Sequence, residues 1–498
     1  MVALGLFDLV LFPIVGAAGI VAISSVVKER GSLFGAFAIA SLSFMAFALF
    51  QTVGLIPSSY WIEGYPPPLG VVLCADSFSL FMVSLFVLMG IIVTLYSLKY
   101  MSEDSGLEKY YALLLLLISG LTGVAISGDL FTLFVFWELM CIASYALVAF
   151  RKDRWEPIEA GFKYLVMSTI GSLIALYGIS ILYGMTGTLN IAEIASRMPS
   201  SWTVEGYFSI AMIISGFGVT AAIFPFHSWL PDAHPAAPSP ISALLSGVVI
   251  KAGAYSILRV LFIVLGPARY DFGTMLLILG VATMTVANLL VFPQRDIKRF
   301  LAFSSIANVG IIITAAGVAA YVAYHSPADI YVAYLALAGG AFHILNHAIG
   351  KGLLFLASGN FIHEIKSRDI VDLEGISKRM PYSGASFSLG ALSLGGIPPL
   401  AGFWSKLIII LSLLYMSSAP LMMAVAVIMI LNSLFSAAYY IWLIQRISFK
   451  PVKADGAKEA GPLMLVPVLV LAVLCVAVTL ALPYFLEIMN SVANALLG

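Results

Sequence analysis

Charge is scarce in this sequence. Only 10% of its 498 residues are Asp, Glu, Lys or Arg, where a soluble domain carries about a quarter. With 61% hydrophobic residues, the chain has too little polar surface to face water on every side. That excludes a soluble protein and leaves a polytopic membrane protein. Cysteine is almost missing too: Cys74, Cys141 and Cys475 stand far apart, which excludes a disulfide framework or a cysteine cluster for zinc or iron–sulfur. No glycine-rich phosphate loop and no dinucleotide fingerprint is found. Any redox or nucleotide chemistry is therefore expected in a partner, with no cofactor and no metal in this chain. Lys+Arg and Asp+Glu both number 25, so no basic footprint for nucleic acid is present. The longest polar pieces, 57–76, 186–206, 361–383 and 446–462, are too short for a separate soluble core. The start of the sequence lacks a basic n-region and reads as a first spanning helix rather than a cleaved signal.

What is abundant is long apolar runs. Windows of about 20 residues, the length that crosses a bilayer as a helix, fall at 3–26, 32–57, 77–98, 110–127, 129–150, 163–185, 207–229, 240–264, 272–292, 300–323, 328–359, 384–416, 419–445 and 463–490. The expected fold class is thus an all-α polytopic membrane protein with about 14 transmembrane helices. Cationic residues test the count. Nineteen of the 25 follow odd-numbered spans, from Lys28 and Arg30 to Arg446, Lys450, Lys453 and Lys458. Arg197, Arg259 and Arg269 lie on the other side, and Lys251, Lys351 and Lys406 lie inside spans. By the positive-inside rule the odd-to-even loops are cytoplasmic and both termini face outward; the expected membrane is the cell membrane.

Against this background a few groups stand where they are costly. A Lys or carboxylate at the bilayer centre costs roughly 2.5–3.5 kcal/mol on insertion scales. Glu138 sits mid-span in "LFVFWELMCIASYAL", Lys251 in "SALLSGVVIKAGAYSILRV" and Lys406 in "GGIPPLAGFWSKLIII". In "FHILNHAIGKGLLF", His343, His347 and Lys351 recur every four residues and share one helix face. A single such group is as often a snorkelling side chain or a structural ion pair. A row of groups with mixed pKa is what proton transfer across a membrane requires. The two histidines also have zinc-helix spacing, but H-E-x-x-H needs a glutamate where Ile344 stands, and no third ligand is near. His227, Asp232 and His234 in "FHSWLPDAH" could hold a metal; a packed loop with histidines at helix ends is the simpler reading. Asp129 suits a helix N-terminus. The Arg151–Arg154 and Arg295–Arg299 clusters read as cytoplasmic anchors.

Two spans look broken. Span 7 reads "GFGVTAAIFPFHSWLPDAHPAAPSP" and span 12 "SLGGIPPLAGFWSK", and proline within a helix frees carbonyls that protein or water must satisfy. A simple kink is the plainer reading of each. Their likeness, five spans apart, fits two five-helix repeats, spans 4–8 and 9–13, the second inverted relative to the first. The expected organisation is 1–109 for helices 1–3, 110–265 and 272–446 for the repeats, and 463–498 for helix 14.

Five blocks in order, "DLFTLFVFWELM", "FPFHSWLPDAHPAAPSPISALLSGVVIKAGAYSILR", "RDIKRFLAFSSIANVG", "FHILNHAIGKGLLFLASG" and "GGIPPLAGFWSK", resemble the antiporter-like membrane subunits of respiratory NADH dehydrogenase, Mrp cation/proton antiporters and membrane-bound hydrogenases. The second block is similar to the signature of NADH dehydrogenase subunit 4, and the likeness covers about residues 76–410. It implies broken helices opening water-filled half-channels, with Glu138, Lys251, the relay His343–His347–Lys351 and the exit residue Lys406 on the ion path. One position departs: the slot of the family's span-7 lysine holds Thr220, which cannot carry charge. Lys251 or His227 would then have to serve Glu138, or the first half would conduct poorly.

The resemblance implies an ion-translocating subunit of a multisubunit energy-converting complex, moving protons with or without exchange for Na+. Partners would be another antiporter-like or channel subunit, the lipid bilayer and, if redox-driven, a peripheral oxidoreductase arm. Whether this makes it part of an enzyme depends on those partners. The alternatives are a stand-alone transporter of a small solute and, least favoured, an intramembrane metalloenzyme.

Overall fold

The computed structural model describes residues 5–27, 31–65, 70–198, 203–266, 271–416, 418–453 and 456–498. Lys28, Arg30 and Arg269, used above for orientation, lie outside them. The chain forms two compact units. Unit 1 comprises residues 1–221, 252–270 and 494–498; unit 2 comprises 222–251 and 271–493.

In unit 1 the helices are α1 (Leu6–Ser24), α2 (Gly31–Val53), α3 (Ser77–Tyr100), α4 (Leu107–Ile126), α5 (Leu130–Val148), α6 (Trp155–Thr186), α7 (Ile191–Arg197) and α8 (Val204–Ala221). Their starts are marked by short polar side chains that accept from orphan N–H groups. Asp76 accepts from Ser79 N at 2.8 Å, Asp129 from Thr132 N at 2.7 Å and Asn190 from Glu193 N at 3.1 Å. Asp129 is thus a cap, as its position suggested. A two-stranded hairpin, β1 (Ser58–Trp61) and β2 (Val72–Ala75), precedes α3. Asp76 also pairs with the buried Arg259 of the same unit.

Next come α9 (Leu230–Ala236) and α10 (Ser239–Leu244), which runs through a π-helical stretch, Leu245–Val249, into α11 (Ile250–Leu258). Unit 2 continues with α12 (Gly273–Val291), α13 (Ile297–His325), α14 (Ile330–Ile365), α15 (Pro381–Gly395), α16 (Ala401–Tyr415), α17 (Pro420–Ile444) and α18 (Pro462–Leu480). A last helix, α19 (Leu482–Leu497), crosses from unit 2 to unit 1. Asp296 caps α13 through Lys298 N at 2.8 Å.

Among the described residues, 13 helices are long and apolar enough to span a membrane, and Ala401–Tyr415 is a shorter apolar helix. With span 12 divided into α15 and α16, the 14 expected segments are all present. Both expected breaks exist. After α8 the chain leaves helical geometry at Ala222 (φ +55°) and passes a cis Phe224–Pro225 bond. Between α15 and α16 lie Gly396 (φ +78°) and a cis Pro398–Pro399 bond. The fourteenth segment differs from its expected range of 463–490. It ends at Leu480, and α19 starts anew at Leu482 with Pro483, which cannot donate to the preceding turn.

Candidate functional site

The site is built on α14. In a helix with Phe342 to Asn360 all buried, His343, His347 and Lys351 are each 0% exposed, as is Lys251. Side chains four apart lie over one another, so the two imidazole rings stack with centroids 6.2 Å apart and planes at 11°. The helices packed on α14 supply what these groups bond to.

His343 is held at both ends. Its Nε2 lies 3.1 Å from Asn308 Oδ1 and its Nδ1 2.9 Å from Ser405 Oγ. Asn308 Nδ2 donates to Ser304 O at 2.7 Å, so the amide presents its oxygen to the imidazole. Nε2 therefore carries the hydrogen, and Nδ1 is the nitrogen able to accept one. Ser405 Oγ also reaches Gly402 O at 3.1 Å. When Nδ1 is bare the Ser405 hydrogen points to it; when Nδ1 is protonated that hydrogen turns to Gly402. With both nitrogens engaged, His343 has none left to share a metal with His347.

His347 is the opposite case: neither ring nitrogen has a hydrogen-bond partner. Buried polar atoms are almost always paired, so an orphaned imidazole among cations suits a group whose protons are in transit. Lys251 and Lys406 both act electrostatically on the two rings, and Lys351 acts on His347.

Lys351 Nζ donates to Leu301 O (2.9 Å), Ser304 Oγ (2.7 Å) and Tyr440 OH (3.1 Å). Lys251 Nζ donates to Ser246 O, five residues back, in the π-helical stretch; such stretches recur at functional sites. Ser246 Oγ meets Ser305 Oγ at 2.7 Å, and Ser305 bonds Leu301 O, the carbonyl that also receives Lys351. Lys406 Nζ donates to Leu394 O at 2.9 Å, a carbonyl at the end of α15 that the break leaves without a helical donor. The break thus creates the acceptor that holds the lysine.

Unit 2 therefore gathers Lys251, His343, His347, Lys351 and Lys406 along one polar seam. His227 stands half-buried in the first break, its ring 5.6 Å from Phe224. His234 is 0% exposed and packs its ring on Phe355 at 4.5 Å; neither nitrogen has a partner. It lies in the last turn of α9, at a helix end as expected, and its ring makes no capping hydrogen bond. No cluster of three or more His, Cys, Asp or Glu is found among the described residues. Asp232 pairs instead with Arg299 at 3.2 Å, and Lys298 donates to Ala237 O. The 295–299 cluster thus binds the 230–237 segment of its own unit as well as facing water.

Glu138 and Thr220 belong to unit 1. Glu138 is half-buried in α5, and its Oε1 is buried without a partner. Thr220 is 1% exposed in α8 and, with Ser168, faces the Cys141 thiol. Ser304, Ser305, Asn308, Ser405 and Tyr440 complete the seam without having been singled out in the sequence. Ser304 and Asn308 sit four apart in a mostly apolar run that also holds Ser305, the same spacing that marks the histidines, and that was the available signal.

These features define a class: an all-α membrane protein with two interrupted helices and a buried row of titratable side chains. The chain belongs to the family described as "NADH:quinone oxidoreductase/Mrp antiporter, TM", whose profile matches residues 127–432. The profile described as "NADH-Ubiquinone oxidoreductase (complex I), chain 5 N-terminus" matches residues 61–111. Relatives include NADH-quinone oxidoreductase subunit N of Desulforudis audaxviator, 34% identical over 469 residues, 90% of each chain. A Na(+)/H(+) antiporter subunit of Alkalihalophilus pseudofirmus is 32% identical over 376 residues, 75% of this chain and 73% of the relative. Among solved structures, a chain of the membrane-bound sulfane sulfur reductase, an archaeal respiratory membrane complex, superposes with TM-score 0.88 at 29% identity, covering 99% of this chain and 97% of that one.

Proposed function

We propose that this chain is the ion-translocating subunit of a multisubunit energy-converting complex in the cell membrane, moving protons through unit 2. Its termini face outward and Na+ is the candidate exchange ion. The observation that carries the reading is the hydrogen-bonded seam of unit 2. Lys351 bonds the Ser304 hydroxyl, Asn308, held on the Ser304 carbonyl, orients His343, and His343 bonds Ser405, the neighbour of Lys406. Lys351 and His343 in it have hydroxyl partners that can reorient when the proton moves. Lys406 at the second break serves as the exit residue.

The two breaks repeat one pattern, helix, positive φ, proline, helix, which supports reading spans 4–8 and 9–13 as related, inverted halves. Glu138, with Thr220 where a lysine would neutralise it, makes unit 1 the weaker conductor, and His227, at the first break within unit 2, is the secondary group. On this reading the driving reaction and any cofactor belong to other subunits. The test is proton transport by the complex in membrane vesicles. Lys351→Ala and Lys406→Ala should abolish it, whereas Thr220→Val should leave it nearly unchanged. Normal transport in Lys406→Ala would overturn the assignment.

A further inference from the structure

The carbonyl that holds Lys406 is itself held, and the group that does so lies on α14. Leu394 O is left free because the residue four places on is Pro398, which has no N–H to give. Among the described residues it receives the only hydrogen bond made by Lys406 Nζ, at 2.9 Å. A carbonyl at a helix end can swing, so its aim depends on what steadies the last turn of α15. The Leu394 side chain seats on Gly350 of α14, where a Cβ would stand 2.9 Å from Leu394 Cγ. One residue earlier, Ser393 Oγ donates to Asn346 Oδ1 at 2.7 Å. A serine within a helix ordinarily bonds a carbonyl of its own preceding turn; this one reaches across to α14 instead. Ser393 is 0% exposed and Asn346 2%, so the bond is shielded from bulk water.

The direction of the Asn346 amide follows from Gly402, in the first turn of α16. A Cβ there would lie 1.8 Å from Ser393 O and 2.9 Å from Asn346 Nδ2. Turned the other way, the amide would set its oxygen against the Ser393 carbonyl oxygen. Nδ2 therefore faces α16, and it has no hydrogen-bond partner. Side chains on a helix lean toward its N-terminus, so Lys406, four residues on from Gly402, leans over that same turn. Its Cδ and Nζ do reach back to Gly396, to within 3.2 Å and 3.3 Å of where a Cβ would stand. The amide thus meets both halves of the broken span. Its oxygen steadies α15, and its N–H end faces the turn of α16 over which the lysine leans.

We propose that Asn346 is the positioning residue of the exit lysine: through Ser393 it aims the one carbonyl that receives Lys406, and as an amide rather than a carboxylate it leaves that lysine free to release its proton. The charged lysine gains from Leu394 O, whereas the neutral amine loses little without it. A looser carbonyl therefore favours the neutral form, and a carboxylate in the place of Nδ2 favours the charged one. On the helices packed against α16, the titratable groups are His343, His347 and Lys351 between Phe342 and Asn360 of α14, Tyr439 and Tyr440 of α17 and Cys475 of α18. α15 has none after Tyr382, α13 none between Phe300 and Ala320, and α16 itself only Tyr415 at its far end. No carboxylate is among them, and none of them is altered by the substitutions below.

Because this rests on Lys406 being a transport group, the experiment separates the two. Proton transport by the complete complex is measured in vesicles across the neutral to alkaline range. Ser393→Ala leaves Asn346, Gly350 and Lys406 in place and removes only the hydroxyl. The charged form of Lys406 then faces a less well-aimed carbonyl, and the alkaline limb of the profile should move to lower pH by roughly half a unit, the effect of a net hydrogen bond. Asn346→Asp keeps an oxygen for Ser393 Oγ and turns a second, charged oxygen to α16. The limb should then move the opposite way, by about one unit, as an opposite charge does for a neighbouring cation. Damage to packing alone would not move the limb in opposite directions from the two ends of one bond. An unshifted profile in assembled Ser393→Ala, or an Asn346→Asp limb that stays or moves down, would overturn the inference; Ser393→Ala decides alone if Asn346→Asp fails to assemble. If Lys406→Ala transports normally, the functional reading fails instead.

Discussion

His347 lies at the centre of α14 with both ring nitrogens buried and unbonded, an arrangement that stability alone would select against. Replacing it with leucine removes orphaned polar atoms from an apolar helix. His347→Leu should therefore leave the thermal stability of the complex unchanged or raised, while cutting proton transport about 10²-fold or more, the usual weight of a proton-transferring side chain. Melting temperature and flux measured on one preparation check both halves of that statement. His343 differs, because it has bonds to lose. The seam could be half seen in the sequence: His343, His347 and Lys351 declared themselves by being titratable in a greasy run. Ser304, Asn308 and Ser405 did not, since a hydroxyl or amide in a membrane helix most often bonds its own backbone. Only packing shows which ones face a neighbour.

At the scale of elements the two breaks matter most. The string "GGIPPLAGFWSK" is enough to place the second one, since Pro398 and Pro399 cannot sit within a continuous helix. It could not show that the carbonyl left free is that of Leu394, or that Lys406 folds back over Gly396. A Cβ at Gly396 would stand 3.2 Å from Lys406 Cδ and 3.3 Å from its Nζ. With φ at +78°, Gly396→Ala also meets about 1–2 kcal/mol of left-handed strain. The variant should assemble yet lose most transport, which vesicle flux normalised to complex content would show. The end of the last span was not legible because hydropathy stays high through Pro483, and only the missing N–H separates α18 from α19.

A loop outside the spans gives a pH prediction. Lys453, at 3.0 Å, and Arg446 hold the Glu374 carboxyl below its ordinary range. Because the folded value is depressed, its contribution is fully present above the unfolded value near pH 4. It is lost as pH falls through the lower, folded value. Proteolysis of the 366–380 segment should rise on that acid limb, and Glu374→Gln should make that rise smaller.

For the whole molecule, low charge and 61% hydrophobic residues left little room for any class but a polytopic membrane protein, and spacing of cations supported 14 segments. The division into two units was not legible in the same way. Its boundaries fall at Ala221 and Lys251, inside spans that hydropathy treats as continuous. The chain is an ion-translocating subunit of an energy-converting complex. Gentle solubilisation should recover it with several other membrane subunits; recovery as a lone, active carrier would favour the stand-alone transporter.

The most direct test compares two substitutions in the purified complex, reconstituted into vesicles and driven by its own partner reaction. In Lys351→Ala, in unit 2, proton flux should fall to background; in Thr220→Val, in unit 1, it should stay close to wild type. Undiminished flux in Lys351→Ala would contradict the account.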